Sequence, residues 1–183
     1  MDNNHVFKHQ RVVGNMLSKV FVGFCLFAAL CGNAFADYEQ QLTCLADNAY
    51  FEARGEGKAG WQAVTNVVFN RMDNNKFPNT ACEVVKQRRG SICQFSWVCS
   101  ELNQKTNHRQ TKLYRQIRTA VHHMYRDRDA VIDNTEGALF YHSTKVSERA
   151  MGLRAKIVKT SIVGKHHFYK IQARKPQMLK HRG

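Results

Sequence analysis

Apolar residues along the chain recur mostly at helical spacing. Between residues 42 and 53 they fall at intervals of three and four, the pattern of a helix that packs one face on a core. Gly55 ends that stripe, and two later segments repeat the same spacing. The pattern predicts helices over residues 38–54, 61–72 and 110–128.

Shorter apolar runs later in the chain predict strands. Residues 138–142 form one such run, and residues 155–169 form a β region in which Gly164 can supply a turn or bulge. Thr80 and Glu83 have the spacing of a capping box, which predicts the start of a short helix. The predicted fold is therefore α+β: a mostly helical, lysozyme-like domain with a small antiparallel β-sheet in its C-terminal half.

The first 36 residues have the pattern of a secretory signal peptide. Basic residues precede an apolar run from Val20 to Cys31, and the segment 34–36 is a small-x-small cleavage signal. The run is shorter than the roughly 20 residues that a membrane-spanning helix needs. We therefore predict cleavage after Ala36 and no stable membrane insertion afterwards, with an uncleaved anchor as the alternative. Export would deliver the protein to the periplasm or the cell wall.

Residues 37–183 then form a single domain, long enough to bury a substantial core. The last ten of them, 174–183, are basic and are predicted to be a frayed tail. Four cysteines remain after the signal peptide: Cys44, Cys82, Cys93 and Cys99. An even number in an exported chain indicates disulfides, and the three possible connectivities stay open. Residues 88–100 show no clear period and are interpreted as an ordered loop pinned by a disulfide.

The chain carries a formal net charge of +14, which predicts an anionic partner. Nucleic acid, a membrane surface and an anionic wall polymer are the candidates. Export makes nucleic acid unlikely, and the basic residues are scattered, so that no DNA-reading helix stands out. Peptidoglycan is the partner that we predict, with no nucleic acid, for a protein that we expect to be a monomer.

Glu52 and Glu56 are the candidate residues for chemistry. Glu52 lies at the edge of the apolar stripe of the first helix, just before the glycine that ends it. Burial at such a position raises the pKa of a carboxyl group, and a general acid must keep its proton near neutral pH. An ordinary exposed glutamate at a helix end is the alternative.

Four separated segments carry motifs that are specific in combination. They are Ala49–Glu56 with Gly60 and Ala63–Arg71; Phe77–Val85 with Gln87; Gln94–Trp97; and Phe140–His142 with Gly164–Tyr169. In this order they resemble the catalytic domain of the cell wall hydrolases of the SleB/CwlJ type, the spore cortex-lytic enzymes. The resemblance implies that residues 37–183 are a cell wall hydrolase catalytic domain that cleaves the glycan strands of peptidoglycan, with Glu52 as the catalytic acid.

Glu56 is the second catalytic candidate, although a structural role is an open alternative. Residues four apart on a helix are neighbours on one face, so that two such carboxylates are poorly placed to flank a sugar. Glu56 could instead raise the pKa of Glu52 or cap the second helix. If a single carboxylate acts, the lytic transglycosylase route is favoured over simple hydrolysis, because one residue can serve as acid and then as base.

Aromatic, amide and hydroxyl groups near these carboxylates predict the glycan groove. The predicted substrate-binding residues are Gln94, Phe95, Ser96, Trp97, Tyr141, His142 and His166. Burial in the core is the alternative for the aromatic residues among them.

Two other functions stay open. His142, His166 and His167 could bind zinc in an N-acetylmuramoyl-L-alanine amidase, but the His-Glu-x-x-His signature is missing and neighbouring strand residues point to opposite faces. A non-catalytic wall-binding protein would need only the positive charge. The favoured prediction is a peptidoglycan glycosidase that needs no cofactor and no metal.

Overall fold

The structure is a computed structural model of the 183-residue chain, and it describes residues 34–104, 106–144 and 156–172. The chain divides into two compact units, residues 1–40 and 41–183. Of the first unit only 34–40 are described, and they are helical. The predicted signal peptide therefore lies almost entirely outside the described residues, as does the predicted tail 174–183. Of the helices that are described, none has the length and apolar character to cross a membrane.

Helices make up most of the described chain, as predicted. They are α1 (34–53), α2 (Gly57–Met72), α3 (Ala81–Lys86), α4 (Glu101–Gln104) and α5 (Lys112–Arg126), with 3₁₀ turns at Ser96–Cys99, His108–Gln110 and Arg128–Ala130. Thr80 is the N-cap of α3 as predicted, because the Glu83 amide donates to Thr80 Oγ1 (3.3 Å), and the Thr80 hydroxyl donates to the Glu83 carboxylate (2.8 Å). The hydroxyl of Thr111 caps α5 by accepting from the Tyr114 amide.

The predicted apolar stripes form the core. In α1 the stripe from Leu42 to Ala53 is buried, and α2 is buried along most of its length because it packs between α3, α5 and the sheet. On α5 the buried positions are Tyr114, Ile117 and Val121, three and four residues apart. The helices thus enclose α2 as a central element.

A three-stranded antiparallel sheet follows the helices. Its strands are β3 (Phe140–Ser143), β4 (Ile157–Val163) and β5 (His166–Ile171), in the order β3-β5-β4. Gly164 makes the β4–β5 turn at φ +56°, and the ladder shifts register between Lys159 and Ser161. Phe168 of β5 packs against Ala63 and Val67 of α2, which fixes the sheet to the helical core. The predicted fold class is confirmed.

Residues 88–100 contain regular structure that the sequence did not indicate. Arg88–Arg89 (β1) and Ile92–Cys93 (β2) form a minimal hairpin around Gly90, and a 3₁₀ turn follows. The Cys93–Cys99 disulfide pins this segment, and a second disulfide joins Cys44 to Cys82. The predicted disulfides are therefore present, and their connectivity is resolved. An interpretation as a plain loop is wrong for 88–93, because two-residue strands are too short to show a period.

Candidate active site

Glu52 lies half-buried in the last turn of α1, just before Gly55. Burial raises the pKa of its carboxyl group, and this is the largest influence on it. Hydrogen bonding with Tyr141 and the positive charge of Arg71 both act in the opposite direction. The carboxyl group thus holds its proton more firmly than an exposed glutamate, next to two groups that favour its anion.

Arg71, near the end of α2, is a buried cation beside this acid. Its side chain is only 2% exposed, and its Nε donates to the Leu139 carbonyl at 2.8 Å. The guanidinium carbon lies 5.2–5.8 Å from the ring centroids of Phe77, Phe95 and Phe140. Burial lowers the pKa of Arg71 to about 10, so that it is still a cation at neutral pH.

Tyr141 projects from β3 towards the same two residues. Its hydroxyl is shielded from solvent and has no partner of ordinary hydrogen-bond geometry in the described part of the chain. It is nevertheless close enough to Glu52 for a weaker hydrogen-bonding interaction that affects the pKa of both groups. Burial and the Glu52 carboxylate raise the pKa of Tyr141 well above its usual range, so that the phenol stays a neutral donor.

Glu56 is engaged elsewhere. Its Oε2 accepts a 2.7 Å hydrogen bond from the backbone amide of Lys165, in the turn between β4 and β5. Glu56 occupies the N-cap position of α2, but its side chain does not cap that helix. It is also absent from the main causes of the raised pKa of Glu52. A Cβ atom on Gly164 would overlap the Glu56 carboxylate, so that glycine leaves it the space it needs.

An aromatic wall includes Phe51, the residue before Glu52 on α1. The rings of Phe51 and Trp97 stack with centroids 4.8 Å apart, and both side chains are partly exposed. Trp97 Nε1 donates to Asn48 Oδ1 at 3.1 Å, which fixes the indole to α1. Of its neighbours, Gln94 and Ser96 are exposed, whereas Phe95 is 3% exposed and lies under the Arg71 guanidinium. Phe95 is therefore buried in the core, which was the alternative to a substrate-binding role.

The predicted residues of the sheet divide between its two faces. Tyr141 lies opposite Phe168 in the ladder, with the His166 ring 5.3 Å away on the same face. His142 lies on the other face, opposite His167. The structure therefore brings Tyr141 and His166 together and separates His142 from them.

The three histidines have different surroundings. His142 Nδ1 contacts the Ser143 carbonyl at 2.7 Å, and its Nε2 contacts the Tyr169 hydroxyl at 2.9 Å. His166 is buried, and burial lowers its pKa. Within the described ranges no cluster of three His, Cys, Asp or Glu side chains has the arrangement of a metal site.

A buried acid on the far side of the aromatic wall holds α1 to the segment that precedes α5. The carboxylate of Asp47 accepts from Arg109 Nε at 3.1 Å and from the Tyr114 hydroxyl at 3.0 Å, and it contacts His108 Nε2 at 3.1 Å. The His108 ring in turn packs 4.6 Å from the Phe51 ring. This cluster fixes the position of the wall.

Sequence reasoning missed Arg71 and the Asp47 cluster as parts of the site. A signal for Arg71 was present, because it falls on the same helical stripe as Val64, Val67 and Val68. A charged residue on a buried stripe is rare unless it has partners. No comparable signal marks Asp47, since its partners lie about 60 residues along the chain.

Comparisons with known proteins identify the family and the fold. The family model of the cell wall hydrolases matches residues 55–169, a span that begins just after Glu52. A solved structure of the catalytic domain of the germination-specific lytic transglycosylase SleB from Bacillus anthracis is similar, with a TM-score of 0.52 and 26% identity over 71% of this chain and 93% of that one. The catalytic domain of the Bacillus cereus SleB protein shares the fold, with a TM-score of 0.51 and 24% identity over 72% and 91% of the two chains. No match was found among curated proteins.

Proposed function

The chain belongs to the cell wall hydrolase family, and from this premise we propose that it cleaves peptidoglycan glycan strands as a lytic transglycosylase, with Glu52 as the catalytic residue. One observation carries the proposal. A carboxyl group with a raised pKa directly follows Phe51 of the aromatic wall along α1, and its main electrostatic neighbours are a phenol and a cation rather than a second acid. One acid with no partner acid suits a reaction in which the same residue gives and then takes a proton.

The first step breaks the glycosidic bond. The protonated carboxyl group of Glu52 donates its proton to the bridging oxygen, and the bond from that oxygen to C1 of the muramic acid residue breaks with both electrons on the oxygen. The leaving strand thereby gains a hydroxyl group. The muramic acid ring is left with the positive charge of an oxocarbenium ion, next to the newly formed Glu52 carboxylate.

The second step closes the ring without water. The Glu52 carboxylate takes the proton of the C6 hydroxyl of the same sugar, and that oxygen bonds to C1. The product is a 1,6-anhydro sugar, and Glu52 is protonated again. Arg71 and Tyr141 stabilise the carboxylate in the interval between the two proton transfers, because both favour the anion.

Glu56 serves in this proposal as a structural residue, since its carboxylate is bonded to the turn that follows β4. Trp97, with its partner Phe51, is proposed to stack on a sugar ring, and Gln94 and Ser96 to bind sugar hydroxyl or N-acetyl groups. For Tyr141, predicted as a substrate-binding residue, the shielded hydroxyl favours a role at the Glu52 carboxyl group instead. For Phe95 and His166 burial favours a supporting role below that surface. His142 remains a predicted substrate residue that would act from the opposite face of the sheet.

Export completes the proposal. The predicted signal peptide of residues 1–36 would carry the domain 37–183 across the inner membrane to the periplasm or the wall. The positive charge of the chain supports attraction to an anionic wall polymer.

The test is digestion of purified peptidoglycan sacculi by the exported chain and by Glu52→Gln. We expect the wild type to release fragments that end in 1,6-anhydromuramic acid, identified by mass spectrometry. Glu52→Gln should lower the rate by at least about a thousandfold, because the amide cannot donate a proton to the leaving oxygen and so contributes no general acid catalysis. Unchanged circular dichroism of the variant is the control for folding.

Products other than 1,6-anhydro fragments would each indicate a different reaction. Reducing ends would indicate hydrolysis, and free stem peptides would indicate an amidase. Near-normal clearing of sacculi by folded Glu52→Gln would show that another group is the acid. Glu56→Gln is the matched control, since its amide oxygen can still accept from Lys165 and its activity should stay within about threefold of the wild type.

A further inference from the structure

A cavity of about 520 Å³ opens next to the catalytic acid. It shares Arg71 and Tyr141 with the surroundings of Glu52. Phe77 and Phe140 contribute apolar surface to it. The two transglycosylase steps leave the hairpin side of this cavity, where Arg88, Arg89 and Ile92 lie, without a role.

The β1–β2 hairpin gives the cavity a cationic rim. Arg88 and Arg89 both line it and both are exposed. In the described ranges neither guanidinium group forms an ion pair or a side-chain hydrogen bond. Ile92, on the paired strand, also lines the cavity and is 72% exposed. The cavity therefore combines the aromatic surface of Phe77 and Phe140 with two exposed cations that are available to a ligand.

The hairpin is held in place rather than free to move. Cys93 of β2 is disulfide-bonded to Cys99, and the Gln94 amide donates to the Gln87 carbonyl at 2.9 Å on the other side of the hairpin. A pinned hairpin holds the backbone of Arg88 and Arg89 at the edge of the cavity, and such preorganisation favours binding of a ligand with matching charges.

We propose that this cavity binds the peptide stems of peptidoglycan, with Arg88 and Arg89 bonded to their free carboxylates, so that the enzyme prefers glycan that still carries its peptides. The stems are attached to the muramic acid residues and therefore leave the glycan beside the bond that Glu52 cleaves. Their short aliphatic side chains suit the aromatic surface, and their carboxylates suit guanidinium groups. The inference rests on the proposed function, because it assigns a second part of the same substrate.

A binding experiment tests the site without cleavage. Free stem tetrapeptide is titrated into Glu52→Gln and followed by calorimetry, with the same peptide amidated at its carboxyl groups as the control. We expect binding of the free peptide that weakens as salt is added, and at least about tenfold weaker binding of the amidated one. Equal binding of the two peptides, or none of either, would overturn the assignment.

A kinetic experiment tests the preference. Intact sacculi and glycan strands stripped of peptides by an amidase are compared as substrates, and the ratio of the two kcat/KM values is measured. Arg88→Ala/Arg89→Ala should lower that ratio about tenfold, because two solvated ion pairs are lost. Arg88→Lys/Arg89→Lys should restore part of it, since the charges return without the bidentate geometry.

The control removes equal charge elsewhere. Lys156 and Lys159 are exposed on and beside β4 and do not line the cavity, so Lys156→Ala/Lys159→Ala should leave the ratio unchanged. The same fall in both double variants would mean that total charge matters and not the hairpin. Failure of the proposed function is distinguishable, because then the wild type would release no fragments that end in 1,6-anhydromuramic acid from either substrate, whereas peptide binding would still be measurable.

Discussion

Replacement of Gly164 by alanine tests whether Glu56 anchors the β4–β5 turn. The backbone at Gly164 has φ +56°, where a Cβ atom costs about 1–2 kcal/mol. The new methyl group would also overlap Glu56 Oε2, which accepts from the Lys165 amide. The carboxylate would have to move away, and a charge-assisted hydrogen bond at this partly exposed site is worth about 1–2 kcal/mol. We therefore expect Gly164→Ala to lower the free energy of unfolding by about 2–4 kcal/mol.

A double-mutant cycle, measured by urea unfolding, separates the two contributions. In a Glu56→Ala background the overlapping carboxylate is gone, and only the Cβ atom of residue 56 remains near, at an ordinary 3.5 Å. Gly164→Ala should then cost only the backbone strain of about 1–2 kcal/mol. The expected coupling energy between the two positions is about 1–2 kcal/mol.

Gly90 provides the matched control for that cycle. It also lies in a hairpin turn at positive φ, +63°, but a Cβ atom there would meet nothing within 4 Å. Gly90→Ala should cost the strain alone, and equally in both backgrounds. If the effects of Gly164→Ala and Glu56→Ala add within about 0.5 kcal/mol, the carboxylate does not stabilise the turn and the structural role of Glu56 is refuted.

Two further predictions concern stability. Glu52→Gln should gain stability relative to the wild type as the pH rises, because burial raises the folded-state pKa of Glu52 while the unfolded chain ionises near pH 4.5. The wild type therefore loses stability from that pH upwards through the raised pKa, and an equal difference between the urea midpoints at about pH 4 and about pH 8 would contradict the assignment. Loss of the disulfides should differ in cost, about 4 kcal/mol for Cys44→Ser/Cys82→Ser and about 2 kcal/mol for Cys93→Ser/Cys99→Ser, because they close loops of 38 and 6 residues. If urea unfolding shows the same loss of stability for both double variants, loop entropy does not set the cost of removing these disulfides.

Local periodicity in the sequence was sufficient to predict the main helices and the C-terminal sheet. The stripe from Leu42 to Ala53 is buried as its spacing predicted, and the turn at Gly164 lies where a residue with positive φ was required. The β1–β2 hairpin was missed because two strands of two residues carry no period. The disulfide pairing could not be chosen from the sequence either, since it depends on which cysteines the helices bring together.

The site was less predictable than the fold because its contacts are long-range. Position on α1 left an ordinary exposed glutamate open for Glu52, and the resemblance to the cell wall hydrolases made it the first candidate. The groups that influence its pKa come from α2 and β3. The contact of Glu56 with Lys165 joins residues 109 apart. Alternation along β3 indicates that Tyr141 and His142 face opposite ways, whereas only the packing of the sheet on α2 decides which face meets the acid.

The surroundings of Glu52 also explain how substrate binding would prepare the reaction. In the proposed mechanism, a glycan strand bound beside Glu52 would exclude water, which would further disfavour the Glu52 carboxylate and keep the carboxyl group protonated for the first step. Exclusion of water strengthens the attraction of the Arg71 cation for that carboxylate as well, because the local dielectric constant falls. The two effects act at different moments, the first before proton transfer and the second after it. A single acid beside a buried cation can therefore donate a proton in the first step and accept one in the second. Two neighbouring carboxylates could divide these roles and would not need one residue to perform both.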